Sequence, residues 1–237
     1  LEAGHNRGAL VATAFMGINA WYLGALEEAL RALRETLAIG DALGLVSSLR
    51  TLAFVQVLLD FNDASKLDEA EECASKFAEA SRGKSPLSQG RASFACAEVA
   101  LRRGDSLKAA SLLESARASL VEAPLDLLAV QVAQAEALLA MGQMAQALDT
   151  AKNAYESYVS RRALGVSGPR AELIFAETLI ATGQVEQAKR IVEQSCSFLQ
   201  AQAAALQPPW QPTQLLSYPV HARLFALRDK LGLALLM

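Results

Sequence analysis

The sequence predicts an all-α fold, a solenoid of about five antiparallel helix pairs followed by a C-terminal helix, and three observations carry that prediction. The first is an internal repeat: LGALEEA at Leu23–Ala29, SKLDEA at Ser65–Ala70, GDSLKA at Gly104–Ala109, GQMAQA at Gly142–Ala147 and GQVEQA at Gly183–Ala188. In each copy a Gly or Ser stands five residues before an alanine, and these positions, 24, 65, 104, 142 and 183, are 41, 39, 38 and 41 residues apart. Self-similarity at a period of roughly 20–50 residues marks units that bury their apolar faces on one another. The second is composition: 52% of residues are apolar but only 6% aromatic, which suits closely packed helices better than a sheet core. The third is an apolar, helix-period stretch ahead of every beat.

Those stretches predict the first helix of each pair: Ala9–Tyr22, Val46–Asp60, Pro86–Arg103, Pro124–Met141 and Pro169–Thr182. Pro86, Pro124 and Pro169 each open one, where a missing N–H costs nothing because the first turn has no acceptor for it. The second helices are expected near Ala25–Ile39, Leu67–Ser81, Ser106–Val121, Met144–Val159 and Val185–Leu206, and the short turns make each pair antiparallel. Ala29, Ala70, Ala109, Ala147 and Ala188 let each second helix approach its first closely. The facing positions, seven residues before each turn residue, are Gly17, Leu58, Ala97, Ala135 and Ala176. The repeats run about 9–41, 45–82, 86–122, 124–161 and 169–206, within one domain spanning 1–237.

Beyond them, Pro208, Pro209, Pro212 and Pro219 surround Trp210. Proline at that density predicts a loop or polyproline-like connector over 207–219, with Trp210 tucked against the last pair. A terminal helix is expected over 220–237. Its tail, Leu233–Met237, is apolar rather than the polar cap a finished array needs, which suggests self-association or continuation into a further segment.

A small residue within the first helix, Gly at the turn and Ala five later resemble the tetratricopeptide repeat (TPR). Ala116 and Ala154 also match the family's small residue seven places further on, whereas Thr36, Phe77 and Ser195 depart from it. The period exceeds the family's 34, and no proline closes the second helices. Long, Ala/Leu-rich units of this kind resemble the helical-repeat domains of bacterial LuxR-type ATP-dependent activators and multidomain signalling kinases. The resemblance implies a right-handed superhelix whose concave wall is lined by the first helices and binds a protein or peptide. Aligning the turn residues carries the wall over to this chain. The ninth place holds Ile18, Leu59, Glu98, Glu136 and Glu177; the fifth includes Phe94, the second Arg91 and Arg170, the twelfth Trp21, and the thirteenth Tyr22 and Arg102. The three glutamates would receive a basic peptide or a cationic or polyhydroxyl small molecule, or else stand as ordinary helix residues paired with Arg91, Arg102 or Arg170.

Chemistry has little to work with. His5 and His221 are the only histidines, and HExxH, GxSxG and P-loop patterns are absent, so neither a catalytic residue nor a cofactor is expected. Cys73, Cys96 and Cys196 lack metal-ligand or disulfide spacing and read as core residues of a cytoplasmic protein, with no metal site. A net charge of −3 with dispersed Lys and Arg argues against nucleic acid. The uncharged stretch Gly8–Leu26 is long enough to span a membrane, but it ends on the first beat of the repeat and reads as a buried helix. The sequence therefore predicts a non-enzymatic interaction scaffold or regulatory module within a larger bacterial signalling or transcription-regulatory protein. The alternative is a domain of a transcriptional regulator that senses a small-molecule effector.

Overall fold

The computed structural model describes residues 2–45, 47–161 and 167–233, and all regular structure among them is helical. The chain divides into two compact units, Leu1–Val121 and Glu122–Met237. The first contains α1 (Glu2–Tyr22), α2 (Leu26–Ala42), α3 (Ser48–Asp60), α4 (Ala64–Ala80), α5 (Pro86–Arg102) and α6 (Ser106–Ser119). The second contains α7 (Pro124–Ala140), α8 (Met144–Arg161), α9 (Ser167–Ala181), α10 (Val185–Ala205), α11 (Pro212–Ser217) and α12 (Pro219–Lys230).

Glycine makes four of the turns between paired helices. Gly24, Gly104, Gly142 and Gly183 have φ of 76°, 79°, 73° and 80°, the left-handed region that side chains disfavour. The next N–H then reaches a carbonyl five residues back, as from Ala25 to Ala20 at 2.9 Å and from Gln184 to Leu179 at 2.7 Å. This satisfies an acceptor that the helix end leaves open. The alanines of the five beats are all 0% exposed, as are the facing residues Leu58, Ala97, Ala135 and Ala176. At the fifth facing position, a Cβ added to Gly17 would lie 2.9 Å from Leu33 Cγ, so α1 approaches α2 more closely than any side chain there permits.

The second beat differs from its expected form. Its turn residue is Asn62, at φ 52°, three positions ahead of Ser65. Asparagine tolerates this conformation better than most residues, so it substitutes for the missing glycine. Asp63 then caps α4 by accepting from the Lys66 N–H at 3.1 Å, and Ser65 lies inside the first helical turn, donating to Asp63 Oδ1 at 2.5 Å.

Pro86 and Pro124 open their helices as predicted, and the Ser85 hydroxyl accepts from the Ser88 N–H at 3.3 Å just ahead of α5. Pro169 does not open α9, which begins two residues earlier at Ser167; a third-position proline still falls among the donors that have no intrahelical acceptor. The proline-rich segment is likewise not a plain connector. Pro212 and Pro219 occupy the first positions of α11 and α12, so prolines that would break a helix interior here begin two helices. Leu215 and Tyr218 are buried and Trp210 is half-buried.

The helix α12 ends like the first helix of a pair: Gly232 has φ 67°, and the Leu233 N–H bonds to the Arg228 carbonyl at 3.2 Å. Most of the apolar tail, residues 234–237, lies outside the described residues. Among the described residues no helix is long and apolar enough to cross a membrane.

Candidate functional site

In the first unit the first helices of the pairs are α1, α3 and α5, and their charged and aromatic residues converge on Asp60. Trp21 on α1 donates its indole N–H to Asp60 Oδ2 at 2.7 Å, and Arg102 on α5 places Nη2 3.5 Å from Oδ1. Asp60 and Trp21 are both buried. A carboxylate taken out of water needs donors on its oxygens, and these two helices supply them. Tyr22 lies beside Trp21, with ring centroids 5.9 Å apart, and is exposed, its hydroxyl pushed up by partial burial. Arg91 donates from Nη1 to the Ser48 hydroxyl at 3.1 Å, joining α5 to the start of α3. Phe94 and Glu98 are buried at 1% and 2% exposure, so neither meets solvent.

Asp60 is the residue that sequence reasoning missed, and the misplaced second turn explains why. Counted from Ser65, Asp60 falls outside the wall. Counted from Asn62 it stands two residues before the turn, the place that Tyr22 and Arg102 occupy before Gly24 and Gly104.

In the second unit the corresponding helices are α7, α9 and α12. Glu136 on α7 receives Arg170 of α9, from Nη2 at 2.5 Å and Nε at 3.2 Å to one carboxylate oxygen. Arg223 on α12 spans two acids: its Nη2 is 3.1 Å from each oxygen of Glu177, and its Nη1 is 3.6 Å from Glu136 Oε1. All four residues of this relay stay partly open to solvent. Burial pushes the Glu177 carboxyl up, and the Arg223 charge partly offsets that. Arg223 was hidden from the repeat pattern because Gly232 follows Gly183 by 49 residues, well beyond the regular period. The glutamates at 136 and 177 thus meet arginines, one of which, Arg170, the sequence had offered as their partner.

Two further groups shifted by burial lie in this unit. His221 is buried, its Nδ1 lies 2.7 Å from the Leu215 carbonyl oxygen, and its ring meets Tyr218 edge-on at 4.9 Å. Burial lowers its pKa, against the pull of that hydrogen bond. Glu172 is shifted up by burial and held back by the Ser195 hydroxyl; nearby, burial pushes the Tyr158 hydroxyl up to about 12. Burial raises the thiols of Cys73 and Cys196 to about 11, so neither is poised as a thiolate. Among the described residues no group of three or more His, Cys, Asp or Glu side chains could hold a metal ion.

No protein-family model matches this chain, and no curated protein matches its sequence. Its fold is similar to that of a solved Podosopora anserina protein described as a kinesin light chain with nearly identical TPR-like repeats. The TM-score is 0.51 at 20% identity, over 83% of this chain and 97% of that one. A second form of the same protein gives a TM-score of 0.49 at 20% identity, over 81% and 96%. At this identity the likeness concerns architecture alone, and it agrees with the turn-and-alanine pattern: the chain has a TPR-like helical-repeat fold.

Proposed function

We propose that this chain is a non-enzymatic protein-interaction module that holds a segment of a partner against the first helices of its pairs. The relay of Glu136, Arg170, Arg223 and Glu177 is the observation that carries this reading. It sets half-buried charges of both signs on three successive first helices, where each is within reach of an incoming side chain. A lysine or arginine of the partner would share or displace Arg223 at Glu136 and Glu177. Arg102, Arg91 and Tyr22 play the corresponding part in the first unit, with Trp21, Phe94 and Glu98 packed behind them. The chain's long, Ala/Leu-rich repeats favour a place in a bacterial signalling or transcription-regulatory protein, where such a module would bring a partner to neighbouring domains.

Affinity capture on the whole chain, run beside a Glu136→Gln/Glu177→Gln variant, tests the reading. Proteins retained by the parent and lost by the variant, with the helical circular-dichroism signal intact, are the expected result. Equal retention by two equally helical chains would refute the assignment of the glutamates.

A further inference from the structure

The guanidinium of Arg223 sits where carboxylate oxygens of two other helices meet it. Its Nη2 donates to both oxygens of Glu177 on α9, each at 3.1 Å, and its Nη1 lies 3.6 Å from Oε1 of Glu136 on α7. Arg170 holds the other Glu136 oxygen, through Nη2 at 2.5 Å and Nε at 3.2 Å. The second unit therefore contains a seat for one planar, two-pronged cation between two acids, and its own chain fills it.

Arg223 is the member of this group that can leave. Its side chain is 45% exposed, against 15% for Arg170, 26% for Glu136 and 27% for Glu177. The neighbouring Leu224, fully buried, anchors that turn of α12, so the guanidinium can swing out without unpacking the helix. One turn further along each helix stands an exposed alanine: Ala140 on α7, Ala181 on α9 and Ala226 on α12. No long side chain at those positions closes over the seat, and a segment entering from solvent has room beside it.

A lysine does not fit this seat equally well. An ammonium is a compact, strongly hydrated point charge, whereas the contact here uses two nitrogens held apart in one plane, beside acids that are about three-quarters covered. The chain itself shows the contrast: Lys230 acts on Glu177 through its charge, while Arg223 makes the hydrogen bonds. Charge also decides how the seat is entered. Arg170 and Arg223 already match the two acids and Lys230 lies beside them, so a further cation is drawn in only as Arg223 withdraws.

We infer that the partner segment inserts an arginine into the seat of Arg223, and that Arg223 is a built-in competitor that sets how tightly this arginine is held. The inference rests on the proposed interaction role and names the side chain that role would recognise. Removing Arg223 should therefore tighten binding, the opposite of what deleting a contact residue does.

An NMR titration of the whole chain with two blocked five-residue peptides, alanine throughout but for a central arginine in one and a central lysine in the other, tests it. The arginine peptide is expected to shift signals around Glu136 and Glu177, to bind Arg223→Ala about fivefold more tightly than the parent, and to lose binding in Glu136→Gln/Glu177→Gln. The lysine peptide should bind Arg223→Ala about fivefold more weakly than the arginine peptide does. Should Arg223→Ala lower the helical circular-dichroism signal, Arg223→Gln takes its place. The inference is overturned if the arginine peptide binds neither chain, if Arg223→Ala binds it no more tightly than the parent, or if the lysine peptide binds equally well. Any of these results beside a partner still captured through the two glutamates removes the arginine seat and leaves the interaction role standing.

Discussion

Both units bring arginine and carboxylate together on the first helices of their pairs, yet with opposite settings. In the first unit Asp60 is buried, with the Trp21 indole donating to it at 2.7 Å and Arg102 at 3.5 Å. In the second, Glu136 and Glu177 keep about a quarter of their surface in water and share two arginines, one of them 45% exposed. Burial therefore sets what each arrangement is for. A buried acid must be satisfied or the fold loses stability, whereas a half-buried relay contributes less to folding and can exchange partners at lower cost.

The largest expected effect lies in the first unit. Trp21→Ala removes a buried indole and its donor together, and about 3–5 kcal/mol of stability should go with it. Trp21→Phe keeps most of the apolar contact but strips Asp60 of the indole donor at 2.7 Å, and a loss of about 1–3 kcal/mol is expected. Urea titration followed by circular dichroism checks both. A Trp21→Phe protein as stable as its parent would mean that Asp60 is satisfied without the indole, and the contrast between the units would disappear.

An effect of intermediate size is specific to the second unit. His221 is held neutral by burial against Leu215 and Tyr218, with its pKa below the ordinary 6.5. As the pH falls through 6.5 the unfolded chain takes up a proton that the folded chain refuses, so stability should drop with falling pH in that window. Glu172 and Glu177 act in the opposite sense and lower down: their carboxyl pKa values are raised above 4.5, so the folded chain gains protons first and recovers stability as the pH falls towards 4.5. Hydrogen-exchange protection, corrected for the intrinsic pH dependence of amide exchange, should fall at α11 and α12 below pH 6.5 while it holds steady at α3 and α5. A uniform loss of protection across both units would show that His221 does not dominate, and a His221→Asn chain should lose the acid-side slope.

Most of this architecture was legible in the sequence because its signals are local. A glycine at a positive φ and an alanine that must not clash announce themselves at a fixed spacing, and most helix boundaries fall within three residues of the predicted ends; the exceptions are the start of α1, at Glu2 rather than Ala9, and the end of α12, at Lys230. The misreadings at Asn62 and at the prolines share a physical cause, which is that one residue type substituted for another in the same role. Asn62 took the glycine conformation, so counting from Ser65 displaced the second repeat and hid Asp60. Prolines 212 and 219, expected to break helices, began them. The site was less legible than the fold. Spacing along one helix places Glu136 and Glu177, but Arg223 reaches them from α12, beyond a segment that interrupts the period, and only the packing of α12 against α9 and α10 reveals it.

The smallest expected effect tests whether the second unit's relay is as loosely held as its exposure implies. Arg223→Ala should cost less than about 1 kcal/mol, and raising the salt concentration should shrink that cost further, because exposed ion pairs are screened over about 10 Å at 0.1 M. Arg223→Lys retains the charge but gives up the two-oxygen contact with Glu177, so any difference between the two variants isolates geometry from charge. A double-mutant cycle with Glu177→Gln measures the pair directly. A coupling well under 1 kcal/mol leaves Glu136 and Glu177 available to an incoming arginine or lysine at little cost to the fold. A coupling of about 2 kcal/mol or more would make Arg223 the acids' fixed structural partner, the counterpart of Trp21 at Asp60, and would turn the proposed binding surface into a second locked core.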